Sequence, residues 1–388
     1  MPVKNRFAEL LPDITQWRRD MHENPEILFE THRTSALVAE KLKEFGCDEI
    51  ATGIGRTGVV GVIKGRSNSS GKTIGLRADM DALPIHEATG LDYASKTPGA
   101  MHACGHDGHT AMLLGAARYL AETRNFDGTV VVIFQPAEEG GGGGREMCAD
   151  GMMERWSIDE VYGMHNWPGR PAGSFAIRPG PFFAATDTFE VKVKGRGGHA
   201  AKPQETVDTT VVASHMVLAL QTLVSRNADP VQQIVVSVTS FETESKAFNV
   251  IPEHVTLRGT VRTLSTEMRA LAAKRLPEIC KGTAATFGAS VEVSYVDGYP
   301  VMANHAEQTA FAAEVATKVA GSCGDAPLVM GGEDFSYMLE ERPGAYILVG
   351  NGETAPVHHP EYNFNDDIIP AGCSWWAEIA ESRLPVGG

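Results

Sequence analysis

The first third of the chain alternates between segments with helical and with strand-like hydrophobic spacing. Residues 33–47 place apolar side chains at helical spacing and end at a glycine stop, which predicts a helix. Residues 57–65 and 73–81 have strand composition, and the second segment ends in acidic residues. A helix is predicted over 109–122, and the wholly apolar strand at 129–136 is typical of burial on both faces. This alternation predicts an α/β sheet with its chemistry at strand ends.

The pattern changes near residue 182. From there to residue 295, alternating strand segments and two long helical segments follow the order β-α-β-β-α-β, which predicts a four-stranded sheet covered by two helices. We therefore predict a catalytic domain in two parts, 1–181 and 296–388, with 182–295 inserted between them. We expect the inserted domain to act as a lid that closes over substrate. Its open sheet leaves an edge strand that could pair with a second copy, so we also expect a homodimer.

Length, charge and cysteine content narrow the class of protein. A chain of 388 residues exceeds one comfortable hydrophobic core, and its formal net charge of −15 disfavours nucleic acid and anionic membranes as partners. No segment approaches the roughly 20 apolar residues of a membrane helix, and the start lacks the apolar region of a signal peptide. Six cysteines without framework spacing favour a reducing cytoplasm.

One thiol and three imidazoles are concentrated in residues 102–109, just before a predicted helix. Only Gly105 separates Cys104 from His106, and glycine permits a tight loop that aims both side chains at one point. Thiolate and imidazole are good ligands for zinc and related divalent metals. The alternative is a buried cysteine beside a hydrogen-bonded histidine at a helix start.

An adjacent pair of carboxylates, Glu138 and Glu139, stands just beyond the buried strand. In extended backbone, successive side chains point to opposite sides, so one carboxylate could bind a metal while its neighbour reaches a water molecule. A solvated surface pair is the alternative. The glycine run at 140–144 lacks the lysine and hydroxyl residue of a phosphate loop and favours close backbone approach around the pair.

Further histidines occur in two separate segments. His165 follows a short strand-like run, and His358 and His359 lie in a polar loop near the C-terminus. Each histidine alone is more often structural, but together with the earlier residues they exceed the four ligands of one tetrahedral site. Two metals sharing a bridge would use all of them, which predicts a dinuclear hydrolytic centre. The five ligands would be Cys104, His106, Glu139, His165 and a C-terminal histidine.

These motifs, in this order, resemble the M20 metallopeptidases, and within them the amidohydrolase branch of hippurate hydrolases, aminoacylases and auxin-conjugate hydrolases. The resemblance covers essentially the whole chain. It implies a zinc-peptidase-like catalytic domain with a mixed sheet and an inserted ferredoxin-like α+β domain. The motifs that carry it are RRDMHENPEILFE, GLRADMDALPI, MHACGHDGHTAMLLG, FQPAEEGGGG, GMHNWP, GRGGHAAKP, FNVIPE, LRGTVRT, GGEDFS and HHPEYNFND.

The resemblance also implies roles for residues of the catalytic domain. Glu138 would be the general base, and His358 is favoured over His359 because the ligand histidine of this branch is followed by one residue and a proline. Zinc or manganese is expected, with cobalt and nickel left open by the mixed ligation. The ligands of two divalent ions would be Cys104, His106, Glu139, His165 and His358.

The chain departs from the wider family at the end of an early strand. Other M20 peptidases carry a His-x-Asp there and a bridging aspartate, whereas this chain has Asp79 in place of the histidine and Cys104 as the expected bridge. Asp81 matches the supporting aspartate, which implies that it orients a ligand. Asp79 is interpreted as a strand-end acid.

In the inserted domain, His199 lies among glycines in GRGGHAAKP. By resemblance it would reach the active site, often that of the partner subunit, and donate to the oxyanion of the tetrahedral intermediate. A plain surface histidine is the alternative. Asn249 in FNVIPE is the candidate contact for the substrate's carbonyl.

Arg262 is the candidate for the substrate's carboxylate, because an arginine fork suits a free carboxylate. Arg258 would share its face of a strand, so the choice of Arg262 depends on the resemblance. The loop 331–336 is expected to line the substrate end of the cleft, through Gly331 and Gly332.

The expected reaction is hydrolysis of an N-acyl or N-aroyl amino acid, for example hippurate, by a metal-activated water. The alternatives are a dipeptidase, a deacetylase of an acetylated diamino acid, or a metal-binding homologue without turnover. Aromatic residues near 167 and 182–183 mildly favour a bulky acyl group.

Overall fold

The computed structural model describes residues 4–387. Within that range the helices are α1 (Asn5–Glu23), α2 (His32–Glu44), α3 (His106–Thr123), α4 (Gly143–Ala149), α5 (Met152–Arg155), α6 (Thr209–Thr222), α7 (Thr266–Thr286), α8 (Ala306–Ala320), α9 (Ser336–Glu341) and α10 (Ile369–Arg383). The strands are β1 (Glu49–Ile54), β2 (Gly58–Lys64), β3 (Thr73–Asp79), β4 (Thr129–Gln135), β5 (Glu160–Pro168), β6 (Phe175–Ile177), β7 (Gly180–Phe183), β8 (Ala185–Lys194), β9 (Gly198–His199), β10 (Ile234–Thr243), β11 (Val250–Ile251), β12 (His254–Thr263), β13 (Ser290–Val296), β14 (Met302–Asn304), β15 (Cys323–Asp325) and β16 (Gly344–Gly352).

The chain forms two compact units. The first comprises the residues up to 180, then 303–327 and the residues from 334 onward. The second comprises 181–302 and 328–333. The return segment 328–333 lies outside the range 182–295 that the sequence pattern singled out. None of the helices in the described range is long and apolar enough to cross a membrane.

An eight-stranded mixed sheet forms the centre of the first unit, in the order β1-β2-β4-β3-β5-β16-β6-β15. Strands β4, β3, β5 and β16 run parallel to one another. Their side chains are almost entirely buried, as expected for parallel strands covered on both faces. The carboxyl ends of β3, β4 and β5 therefore lie at one edge of the sheet, where the acids and histidines of the sequence motifs follow.

Helix α3 is central to the packing of this unit. It is buried along nearly its whole length and packs against α1 and α10. Gly115 is required in that contact, because a Cβ there would lie 2.6 Å from Ile14 and 2.8 Å from the sulfur of Cys373. The first residues of α3 are consequently held rigidly beneath the end of the sheet.

The second unit contains a four-stranded antiparallel sheet in the order β10-β12-β8-β13. Along β8 and β13, less exposed and more exposed side chains alternate, which is typical of a sheet covered on one face only. Helices α6 and α7 pack against each other and on β12. The chain order β8-α6-β10-β12-α7-β13 is the predicted β-α-β-β-α-β arrangement, and the predicted α/β fold class is confirmed.

Candidate metal centre

Two groups of possible metal ligands share the thiol of Cys104. In the first group, ligand atoms of Cys104, His106 and His165 lie within 4.8 Å of one another. In the second group, ligand atoms of Cys104, Glu139 and His358 also lie within 4.8 Å of one another. The structure thus brings together all five residues expected as ligands, and the thiol of Cys104 belongs to both groups.

The turn that carries Cys104 depends on a glycine. Gly105 adopts a left-handed conformation with φ of 89°, directly before His106 opens α3. A Cβ at this position would lie 2.4 Å from both the amide nitrogen of Asn166 and the hydroxyl of Tyr362. The tight loop expected from the sequence is therefore enforced by its neighbours as well as by its own backbone.

Hydrogen bonds orient the ligand side chains. His165 lies inside β5, further into the strand than expected, and its Nδ1 donates to the carbonyl of Asn166 at 2.6 Å. Because a carbonyl only accepts, Nε2 of His165 is the unprotonated nitrogen, and it lies 3.3 Å from the sulfur of Cys104. In the other group, Nε2 of His358 lies 3.2 Å from Oε1 of Glu139.

His358 and its neighbour His359 have different partners. The backbone N–H of His358 donates to the carbonyl of Ala103 at 2.7 Å, which places its side chain beside the Cys104 turn. Nδ1 of His359 instead accepts the backbone N–H of Glu361 at 3.1 Å. Only His358 lies in a ligand group, in line with the expected choice between the two histidines.

Glu138 and Glu139 lie in a turn, so the expectation of extended backbone at this pair is wrong. The carboxylate of Asp81 accepts the backbone N–H of Glu138 at 2.9 Å and that of Glu139 at 3.1 Å, which bends the chain directly after β4. The glycine run then returns against the strand end, where a Cβ on Gly143 would lie 1.7 Å from the carbonyl oxygen of Pro136. Close backbone approach thus requires glycine at position 143.

Asp81 also supports a ligand directly. Its Oδ1 lies 3.4 Å from Nδ1 of His106, and both side chains are inaccessible to solvent. Burial raises the pKa of Asp81, while His106 and the backbone N–H of Glu138 oppose that effect. A carboxylate behind a ligating imidazole fixes the orientation of the ring and increases its basicity.

The electrostatics of this cluster favour a bound cation. Burial lowers the pKa of His106, but Asp79, Asp81 and Glu139 outweigh it and raise that pKa to about 10. Burial, Glu139 and Glu138 together hold the pKa of the Cys104 thiol well above its ordinary value. Nearby negative charge contributes to both shifts, and a divalent ion bound here would offset that charge and deprotonate the thiol.

The residues fit a divalent metal in a second respect. Within residues 4–387, neither ring nitrogen of the buried His106 makes a hydrogen bond of good geometry: Nδ1 has only the long, 3.4 Å contact to Asp81, and the carboxylate oxygens nearest to Nε2 lie at 3.9 and 4.0 Å. Unpartnered buried nitrogens are rare in proteins, and a coordinating ion accounts for one of them. The donor set of one thiolate, three imidazoles and one carboxylate is suited to zinc-like ions.

A third set of possible ligands, Asp79, His106 and His109, has a different role. Nδ1 of His109 lies 2.6 Å from Oδ1 of Asp79, and its Nε2 accepts the backbone N–H of Asn166 at 2.9 Å. Both nitrogens of His109 are therefore occupied, and none is left for a metal. The other oxygen of Asp79 accepts from Arg77 at 2.7 Å, so this acid is part of a buried ion pair and not merely a strand-end acid.

The second unit brings His199 and Asn249 together. Strands β9 and β11 pair so that His199 lies opposite Val250, and the N–H of Ala200 donates to the carbonyl of Asn249 at 3.0 Å. His199 and Asn249 are both exposed. The two expected substrate contacts thus lie on one short antiparallel ribbon of this unit.

Arg262, Gly331 and Gly332 form another group in the second unit. Arg262 pairs in register with Thr186 of β8, and a Cβ on Gly332 would lie 2.4 Å from the methyl group of Thr186. The carbonyl of Gly331 accepts the N–H of Ala184 at 2.9 Å.

The two arginines that the sequence left as alternatives differ in their charge partners. Arg258 forms ion pairs with Glu190 and Glu242, both at 2.8 Å. Arg262 is half-buried and has no ion pair within the described residues. Burial lowers its pKa.

Several residues around the centre carried no role in the sequence analysis. Asn166, Tyr362 and His109 all form hydrogen bonds with residues that are far away in the sequence. The only sequence signal was their position within motifs that also contain expected ligands, HNWP, HHPEY and HDGH.

Comparison with known proteins decides the family. Residues 75–382 match the model of peptidase family M20/M25/M40. The chain is 42% identical over 382 residues to the hippurate hydrolase of Campylobacter jejuni subsp. jejuni serotype O:2, covering 97% of this chain and 98% of that protein. The chain belongs to peptidase family M20. The resemblance inferred from the motifs is confirmed, and this M20 chain is a metal-dependent hydrolase that acts on amide C–N bonds.

Other M20 relatives agree with this assignment. The chain is 37% identical to the N-acetylcysteine deacetylase of Bacillus subtilis, over 94% of each protein. Among solved structures, a dinuclear metal binding peptidase of the M20 family from Bacillus subtilis superimposes with a TM-score of 0.86, at 34% identity and with 97% of this chain and 99% of that chain covered. Divalent metal binding by this M20 chain is thus supported by both its ligand groups and its relatives.

Proposed function

We propose that this protein hydrolyses the amide bond of N-acyl or N-aroyl amino acids, hippurate-like compounds, and releases a carboxylic acid and an amino acid. The observation that carries the proposal is the pair of ligand groups sharing Cys104, with the carboxylate of Glu138 beside them. The similarity to a hippurate hydrolase over nearly the whole of both chains supports the aroyl substrate class.

Two divalent ions would be held by Cys104, His106, Glu139, His165 and His358, with zinc or manganese preferred and cobalt or nickel as alternatives. When bound, such ions lower the pKa of a water molecule to about 7 and polarise the substrate carbonyl. The thiolate of Cys104 would be common to both ions, and Asp81 would hold His106 in its ligating orientation.

Glu138 would accept the proton of the attacking water and later deliver it to the departing amine. Its carboxylate is buried, with 7% of the residue exposed, and its backbone N–H is fixed by Asp81. A buried carboxylate whose backbone is anchored can transfer a proton without rearranging the turn.

Residues of the second unit would bind the substrate. His199 would donate to the oxyanion and Asn249 to the substrate's carbonyl, and the ribbon that joins their backbones supports a common task. Arg262 would bind the substrate's carboxylate, because it has no ion pair within residues 4–387, whereas Arg258 is neutralised by two glutamates. Gly331 and Gly332 would line the same end of the substrate. We further propose that this unit closes over the substrate as a lid.

We also propose a homodimer formed through the edge strand β10. Its exposed side chains include the apolar Val235 and Phe241, 40% and 41% exposed, and Leu218 on α6 is 68% exposed. The other edge strand, β13, exposes mainly polar side chains, Ser290, Glu292 and Ser294, with one valine, Val296, at its last position, and polar side chains are the usual protection of an edge.

A cytoplasmic location is the last part of the proposal. The cysteines of the described chain are all free thiols, including the three buried in the first unit at Cys104, Cys148 and Cys373. Free thiols without disulfides are typical of proteins kept in a reducing compartment.

A substrate panel on metal-free protein reloaded with zinc, manganese, cobalt or nickel in turn tests the proposed function. Benzoylglycine, acetylated amino acids, an acetylated diamino acid and dipeptides would be compared by kcat/KM. We expect benzoylglycine to be among the best substrates. Preference for dipeptides or for the acetylated diamino acid would contradict the proposed substrate class, and absence of turnover with every metal would contradict the reaction itself.

A further inference from the structure

Asn166 lies between the segments that carry the proposed metal ligands. Asn166 is fully buried. The side-chain amide nitrogen donates to the carbonyl of Cys104 at 2.6 Å, and the amide oxygen accepts from the hydroxyl of Tyr362 at 2.7 Å. Its backbone carbonyl accepts from Nδ1 of His165. Asn166 thus forms hydrogen bonds with the turn that carries Cys104, with His165 of β5 and with Tyr362 of the C-terminal segment.

The position of Asn166 is itself fixed from the opposite side. Its backbone N–H donates to Nε2 of His109, whose Nδ1 donates to Asp79, and Asp79 is paired with Arg77. Because Nε2 accepts this N–H, the ring proton that Asp79 accepts is carried by Nδ1 of His109. This chain of bonds connects Asn166 to the end of β3 through side chains that are entirely buried.

The bond to Tyr362 controls the segment that carries His358. The backbone N–H of Tyr362 donates to the carbonyl of His359 at 2.9 Å, which closes a turn over 359–362. His358 directly precedes that turn, and its backbone N–H donates to the carbonyl of Ala103. The C-terminal segment is consequently attached to the Cys104 turn at two points, one by backbone and one through Asn166.

We infer that Asn166 is a positioning residue that sets the geometry of the two ligand groups relative to their shared sulfur. This inference rests on the metal centre of the proposed function. Asn166 is not itself a ligand, and it acts through the Cys104 turn, the ring of His165 and the turn that follows His358. Loss of such supporting bonds typically weakens metal affinity by roughly 10- to 100-fold.

The test measures zinc affinity of the full-length protein by competition with a chromophoric chelator, with no substrate present. Asn166→Leu keeps the size of the side chain but removes all hydrogen bonds of its amide, including the 3.0 Å contact to Nε2 of His109, and we expect its zinc affinity to fall by about 10- to 100-fold. Tyr362→Phe removes only the hydroxyl bond, and we expect a smaller loss, confined to one of two ions. Elemental analysis after dialysis against the chelator would count the ions retained.

Asn304→Leu is the matched control. Asn304 is another buried asparagine of the first unit, and its side chain bonds to the backbone of Tyr346 and Arg178, neither of which is a proposed ligand. The five tryptophans all belong to this unit, so tryptophan fluorescence reports whether each variant is folded. We expect Asn304→Leu to lose stability but to keep its zinc affinity.

The outcomes separate the inference from the proposal on which it rests. Equal zinc affinity in the wild type, Asn166→Leu and Tyr362→Phe would overturn the inference alone. So would an equal loss in Asn166→Leu and Asn304→Leu, which would show a general effect of core damage. If Asn166→Leu does not fold, an unchanged zinc affinity in Tyr362→Phe overturns the inference. Failure of the wild type to bind zinc, manganese, cobalt or nickel would overturn both.

Discussion

Glu138 and Glu139 are neighbours in the chain, yet the structure gives them different surroundings. Glu139 lies beside His358 in a group that contains Cys104, whereas Glu138 is in neither of the groups that share this thiol. Asp81 accepts the backbone N–H of both residues, and their carboxylates stay close together in a further group with His106. These contacts support the proposed division of labour, in which Glu139 is a metal ligand and Glu138 is the general base.

Glu138→Gln should lower kcat for benzoylglycine by about 10²- to 10⁴-fold, because glutamine keeps the shape of the side chain but cannot accept a proton. Metal content should be unchanged. Steady-state kinetics with elemental analysis would check both results, with the exposed Glu40→Gln as the control. Full activity of Glu138→Gln with bound metal would show that another group is the base.

Arg262→Ala should lower kcat/KM for N-acyl amino acids by roughly 10- to 100-fold, the value of one charged hydrogen bond to the substrate's carboxylate. Arg258→Ala is the matched control, since that arginine already pairs with Glu190 and Glu242 and should leave the kinetics nearly unchanged. A substrate amide without the free carboxylate should not distinguish Arg262→Ala from the wild type. Unchanged kinetics in Arg262→Ala together with a lower kcat/KM in Arg258→Ala would show that Arg262 does not bind the substrate's carboxylate.

At the scale of single residues, the sequence was sufficient to predict the residues that lie in local motifs. Cys104 and His106 could be predicted as a pair because one glycine separates them. The roles of Asp79 and Asn166 could not, because their partners Arg77, His109 and Tyr362 are fixed by strand pairing and helix packing and not by spacing along the chain.

At the scale of elements, the turn before α3 combines backbone strain with close packing. Gly105→Ala should destabilise the protein by more than the roughly 1–3 kcal/mol of an unfavourable backbone conformation, because the new Cβ would also collide with Asn166 and Tyr362. Gly99→Ala is the control, since Gly99 has a similar φ of 80° with nothing within 4 Å of the added Cβ. Urea unfolding followed by tryptophan fluorescence would compare them, and equal losses would refute the role of the collision.

Helices α1 and α3 are joined by a buried ion pair. Nδ1 of His22 lies 2.9 Å from Asp107 and Nε2 lies 3.3 Å from Glu87. Burial lowers the pKa of His22, but these two carboxylates outweigh it and raise that pKa from 6.5 to about 9. The charged His22 therefore stabilises the fold fully below pH 6.5, and this stabilisation is lost as pH rises through about 9.

Between pH 6 and pH 10, the free energy of unfolding should consequently fall further in the wild type than in His22→Gln. The difference should approach about 3 kcal/mol, at 1.36 kcal/mol per pKa unit. Urea unfolding at both pH values, in one metal state, would measure it, with the exposed His32→Gln as the control. Parallel pH profiles for the wild type and His22→Gln would contradict the expectation.

Regular elements were predictable where the pattern was strong. The apolar run 129–136 is observed as β4, and the helical spacing in 33–47 as α2. Helix α1 was not predicted, although its buried residues Phe7, Leu10, Ile14, Trp17 and Met21 keep helical spacing on both sides of Pro12. The turn at Glu138 was also missed, since its cause is a carboxylate more than fifty residues earlier in the chain.

At the scale of the whole molecule, the proposed dimer depends on one edge of the second unit. Val235→Lys should convert the dimer to a monomer in sedimentation at micromolar protein, because a buried lysine at a sheet edge opposes pairing. Val296→Lys, on the opposite edge strand β13, is the control and should leave the dimer intact. A wild type that is monomeric at micromolar concentration would contradict the proposal, and dissociation by Val296→Lys alone would assign the interface to β13.

The division of the chain followed from the change in hydrophobic pattern near residue 182. The sequence did not indicate that 328–333 returns to the second unit, because six residues are too few to carry a periodicity. The fold class and the reaction class were predictable from the motifs and their order. The substrate's acyl group was not, because the residues that line its binding site are not specified by any single motif.

The position of β16 in the sheet has a consequence for biosynthesis. This strand, at 344–352, lies between β5 and β6, which the ribosome produces more than 160 residues earlier. Until β16 emerges, the nascent chain exposes the buried edge of β5, an apolar template for wrong pairing with other chains. The sheet of the first unit can therefore be completed only near the end of translation.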